Sequence, residues 1–172
     1  FRVCGIKLSY SQGFSAHPEI SFTYPLSLGM TGKGERMGVV LLERLPNDAV
    51  SRINNELPDG LKVRFLNHLP KKISLEPQIT AALYKFSMGE LFDKTTSTLN
   101  NFIKSPTFIA SVRTKSGDKA CDLKSMTKSI SVEGNDIIAE LSLKQGAFFR
   151  PSDFLKFAAG LSDNELLSVR IE

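Results

Sequence analysis

The chain has no tryptophan, two cysteines, two histidines and three tyrosines among 172 residues. Cys4 and Cys121 stand far apart in sequence, so neither a disulfide framework nor a self-sufficient zinc or iron–sulfur site can form. No apolar run approaches the roughly 20 residues that cross a bilayer, which excludes a transmembrane helix and argues against a membrane partner. The opening FRVCGIKLSY has no initiator Met, no basic leader and no apolar stretch of signal-peptide length. With no secretion signal and no cysteine framework, the cytoplasm is the expected compartment. What is present is ordinary: 41% hydrophobic and 23% charged residues exclude disorder, collagen-like repeats and coiled coil as overall descriptions.

The first residues read as the end of an element. Phe1, Val3 and Cys4 are spaced as the last apolar positions of a helix, and Gly5 is a favoured residue just past a helix end. The expectation is a fragment preceded by at least one more element. Net charge is +4, with a local bias from Lys104 to Lys128, where six basic residues face two acids, Asp118 and Asp122. Such a patch either neutralises phosphates or keeps a sheet edge soluble.

Element order repeats. In the first half, alternating stretches at 19–24 and 36–43 flank the Gly- and Pro-bearing loop PLSLGMTGKG. Ala49, Val50, Ile53 and Leu57 recur at helical spacing until Pro58–Asp59–Gly60. Leu61, Val63 and Phe65 then alternate with Lys62 and Arg64 as a half-buried strand would. The second half predicts a strand at 79–88, a helix at 90–104 and strands around 108–112 and 119–123. A hairpin over 129–143, a helix opened by Pro151 and a strand at 166–171 follow. The fold class is therefore α+β, as tandem ferredoxin-like (split βαβ) units. Residues 1–78 would be a truncated unit lacking its N-terminal strand and helix. Residues 79–172 would be a unit with an inserted basic hairpin arm.

Chemistry-bearing motifs are sparse. His17 and His68 have no ligand partner at helix spacing, and Cys121–Asp122 has no nearby base. Gly29–Gly34 has the spacing of a phosphate loop, but Glu35 and Arg36 replace the required Lys and Ser/Thr, which rejects it. The stretch SQGFSAHPEISF is different. Ser11 and Gln12 offer hydrogen-bonding groups, Gly13 allows a tight turn, and Phe14 and His17 offer stackable rings. Pro18 fixes the turn and Ser21 lies on the strand that follows. The alternative is that Phe14 fills the core and His17–Pro18 only shapes the backbone.

GIKLSYSQGFSAHPEISFTYPLSLG resembles the signature of the bacterial radical SAM-linked proteins, a family of unknown function found beside, or fused behind, cobalamin-domain radical S-adenosylmethionine (SAM) proteins. VRTKSGDKACDLKSM and GAFFRPSDFLKF resemble later motifs of the same family. Departures are Ser15–Ala16 where Asn or His followed by Pro is common, Glu19 for a usual Lys or Arg, and Phe149 at a position frequently small or polar. Glu19 and Ala16 argue against an anion site in the loop. The radical SAM cysteine triad is absent here. A 4Fe–4S cluster, S-adenosylmethionine and cobalamin would therefore belong to a partner or fused domain, with no cofactor in this chain.

Three readings follow. The first is a non-catalytic recognition domain that presents tRNA or rRNA to a radical SAM modification system. Arg113, Lys115, Lys119, Lys124, Lys128 and Arg150 would contact phosphate, and Phe14 and His17 a base. The second is an interaction module that docks a radical SAM protein or a peptide. The third is an enzyme centred on His17 with Asp122. If the arm clamps phosphates, its cations must share one face.

Overall fold

A computed structural model describes residues 1–114, 117–143 and 150–172. The structure is α+β and divides into two compact units. One comprises Phe1–Tyr24 and Glu35–Gln78, the other Pro25–Gly34 and Ile79–Glu172. Among the described residues no helix is long and apolar enough to cross a membrane.

The first unit opens on a turn. Gly5 N–H donates to Arg2 O at 3.1 Å and Ile6 N–H to Phe1 O at 3.0 Å. With Gly5 at φ +71°, these bonds have the pattern that glycine uses to close a turn. Strands β1 (Ile20–Phe22) and β2 (Met37–Val39) pair antiparallel, with Ser21 opposite Gly38. A Cβ on Gly38 would lie 2.8 Å from Ser21 Oγ and 3.3 Å from a Leu75 methyl, so close approach requires glycine there. Helix α1 (Ala49–Glu56) buries Ala49 and Ile53 against Cys4 and Ile6. The strand expected at 61–65 does not join a sheet. Residues 61–69 run without a turn or bend, but their one rung is made with a side chain. Asn54 Nδ2–H donates to Val63 O at 2.9 Å, and Val63 N–H donates to Asn54 Oδ1 at 2.8 Å.

In the second unit, β3 (Ala81–Ser87), β6 (Thr127–Glu133), β7 (Asp136–Ser142) and β8 (Arg170–Ile171) form one antiparallel sheet in the order β6-β7-β3-β8. Helices α2 (Phe92–Lys104) and α3 (Pro151–Phe157) connect it. Alternation makes the sheet two-sided. Phe86 and Ile137 pair across the strands on a buried face. Phe154 of α3 stacks on Phe86 at 5.3 Å and meets Phe102 of α2 edge-on at 6.0 Å, so both helices cover that face. The opposite face holds exposed Leu83 and the Lys85–Asp136 and Lys128–Glu140 pairs at 2.8 and 3.4 Å. The inserted hairpin, β4 (Ile109–Thr114) with β5 (Gly117–Asp122), turns Ala110 and Val112 into the same core.

The closing strand is shorter than expected. Helix α4 (Asp163–Leu166) takes its beginning, and Leu167 is exposed rather than facing inward with Val169 and Ile171. The cause is a capping box. Glu165 accepts from Ser162 N–H at 2.9 Å and from Ser162 Oγ at 2.6 Å. Lys94, and then Ser162, hold the Glu165 carboxyl down to about 2.

Candidate recognition loop and basic residues

The first unit builds a closed loop from residues 11–18. Tyr10 and Pro18 form an antiparallel bridge at its base. Ser11 N–H donates to His17 O at 2.8 Å, and His17 N–H donates to Ser11 Oγ at 3.0 Å. Ser11 therefore stitches both ends of the loop together. Gly13 sits at φ +126°, a conformation that side-chain-bearing residues rarely adopt. It places Phe14 at the tip with the whole ring in solvent, at 109% relative exposure. Gln12, Ser15, Ala16, His17 and Pro18 are exposed as well. Phe14 therefore does not fill the core.

The base of the loop is anchored by Glu19. Its carboxylate accepts from Ser9 Oγ at 2.7 Å and Lys72 Nζ at 2.6 Å. Lys72, with help from Ser9, lowers its pKa below the ordinary carboxylate value. The acid at this position is thus neutralised inside the unit. Ser21 is separate from the tip: it is half-buried against Gly38.

Within the inserted hairpin, Arg113 and Lys119 do not share a face. In the β4–β5 register Arg113 stands opposite Asp118, whereas Lys119 stands opposite Val112. Cross-strand partners share a face and adjacent pairs alternate, so Arg113 and Lys119 point to opposite sides of the hairpin. Lys124 Nζ donates to Phe102 O at 3.2 Å and Ile103 O at 2.7 Å, and lies 5.2 Å from the Phe102 ring centre. It caps the carbonyl end of α2, where a cation suits the helix dipole. Lys128 pairs with Glu140. Lys115 lies outside the described residues, as does Phe149. Arg150 is exposed at the start of α3, its N–H donating to Asp153 Oδ2 at 3.3 Å. Strand alternation thus separates Arg113 from Lys119, while Lys124, in the turn after β5, bonds helix carbonyls and Lys128, on β6, pairs with Glu140.

The pairing of His17 with Asp122 is not assembled within either unit. His17 lies in the first unit and Asp122 in the second. The Asp122 carboxylate accepts from Phe108 N–H at 2.9 Å and Lys124 N–H at 3.1 Å, which holds a corner of the backbone. Cys4 is buried and its Sγ donates to Arg52 O at 3.5 Å, while half-buried Cys121 stands opposite Ala110. Among the described residues no three His, Cys, Asp or Glu side chains gather as a metal site.

Sequence reasoning took 61–65 as a strand and weighed His68 only as a metal ligand, and did not read residues 61–72, LKVRFLNHLPKK, as a binding run. The available signal was four basic residues, two rings and no acid in one run. Among the described residues Lys62, Arg64 and Lys71 have no ion-pair partner. Phe65 is 60% exposed and His68 is exposed beside them.

Residues 1–151 match a family described as an uncharacterized protein conserved in bacteria (DUF2344). No curated protein and no solved structure matches the chain.

Proposed function

Because the chain belongs to this bacterial DUF2344 family, and its own motifs resemble the radical SAM-linked signature, we propose that it is a non-catalytic accessory module that docks a radical SAM protein. The contact is made by the loop at residues 11–18. One observation carries this reading: Phe14 is held in solvent at the tip of a loop closed by its own hydrogen bonds. A ring exposed on a pre-ordered loop loses little conformational entropy on burial, and aromatic residues are the usual energetic anchors of protein interfaces. Gln12 and His17 flank it with groups suited to a polar rim. The partner supplies the iron–sulfur cluster, S-adenosylmethionine and cobalamin chemistry; this chain supplies position.

Calorimetric titration of the purified radical SAM protein with the full chain tests the proposal. Phe14→Ala should weaken binding by about 2 kcal/mol or more, the cost of losing an anchor ring. An unchanged affinity, or no complex with the unmodified chain, would sink it. Salt should change the affinity only weakly, because the loop tip carries no acid or cation.

A further inference from the structure

We propose that the run from Lys62 to Lys71 is a binding strip for single-stranded RNA, separate from the docking loop. The backbone of the run is set by one clip. Asn54 takes both the N–H and the C=O of Val63, the pair that a neighbouring strand would otherwise take. Val63 is half-buried beside α1, and its neighbours Lys62 and Arg64 are exposed. In an extended chain consecutive side chains alternate, so Lys62 and Arg64 stand together on the side away from Val63, about 7 Å apart. From Lys62 to Lys72, the two bonds to Asn54 are the only backbone hydrogen bonds among the described residues. Residues 62–69 therefore leave most of their backbone groups open and outside any sheet, and the chain bends at Pro70–Lys71.

Its charge is free. Lys72 is committed to Glu19, but Lys62, Arg64 and Lys71 form no ion pair among the described residues. The cations beyond the hairpin differ: Lys124 is bonded to helix carbonyls and Lys128 to Glu140. The rings decide between polyanions. Phe65 and His68 are exposed and lie between the cations in sequence, with Phe65 alternating to the side opposite Lys62 and Arg64. Cations that track a backbone, interleaved with rings that receive bases, form the pattern by which proteins hold single strands without reading sequence. An acidic peptide would use the charges and leave the rings unmatched.

Fluorescence anisotropy of a labelled oligouridylate, titrated with the full chain at several salt concentrations, tests the strip. The triple change Lys62→Ala, Arg64→Ala, Lys71→Ala should flatten the plot of log affinity against log salt by up to roughly 2, at roughly 0.7 per phosphate contact. Phe65→Ala should lower affinity roughly tenfold and leave the slope unchanged, as loss of a stacked base does. All four side chains are exposed, so circular dichroism and Tm should not move. The proposal is overturned if the triple variant binds like the parent. It is equally overturned if polyglutamate competes as well as unlabelled RNA, or if Phe65→Ala has no effect. Phe14→Ala should leave RNA binding intact, so failure of the strip and failure of the docking loop are read separately.

Discussion

Gly13 is the residue on which the presentation of Phe14 turns. At φ +126° an alanine meets backbone strain even though open space surrounds the position. Gly13→Ala should therefore cost about 1–2 kcal/mol locally and reorient the loop tip. Titration against the radical SAM protein should show weakening comparable to Phe14→Ala, with global Tm little changed. Phe102 is the opposite kind of residue. It is fully buried, with Phe108 at 5.1 Å and Phe154 at 6.0 Å. Phe102→Ala should cost about 3–5 kcal/mol in urea unfolding, because it removes burial and leaves a cavity. Glu165 adds a pH dependence. Its folded pKa of about 2 lies below the ordinary 4.5, so its contribution is complete above about pH 4.5 and disappears as pH falls towards 2. The Tm gap between the parent and Glu165→Gln should be constant near neutrality and close over that acid window. A gap that persists at pH 2 would mean that Lys94 and Ser162 do not act through the carboxylate charge.

At the level of elements, Lys124 marks where sequence reading met its limit. Six cations within 104–128 looked like one patch because a one-dimensional reading cannot separate a helix cap from a surface charge. Lys124→Met keeps the stem but removes the donor to two carbonyls at the end of α2. It should destabilise by about 1–2 kcal/mol, the range for a hydrogen bond to a charged group at a helix end. The salt slope for RNA should not change. Other elements were legible because their signals are local. Helix spacing in 49–56 and Pro151 at the start of α3 both appear where expected. Period-two patterns placed β3, β6 and β7 within two residues of their ends. The strand expected at 61–65 does not form, for a tertiary reason. Its alternation is present, but pairing needs a neighbouring strand, and Asn54 supplies only one rung. Phe14 was undecided from sequence because a Phe is equally at home in a core or at an interface; only burial separates the two.

Across the whole molecule, the two units differ in how much core they own. Among the described residues the second unit gathers an 18-residue buried cluster, while the first gathers Cys4, Ile6, Ala49 and Ile53. Buried apolar area sets local stability, so the loop at residues 11–18 is carried by the unit with the smaller core. Amide exchange should be slowest in β3 and β7 and faster in α1. Equal protection in both units would contradict this ordering. The same measurement, repeated with and without the purified radical SAM protein, tests the central claim most directly. Complex formation should slow exchange at residues 12–17 and leave β6 and β7 unchanged. If residues 12–17 exchange at the same rate in the complex while protection appears elsewhere, the loop is not the docking contact.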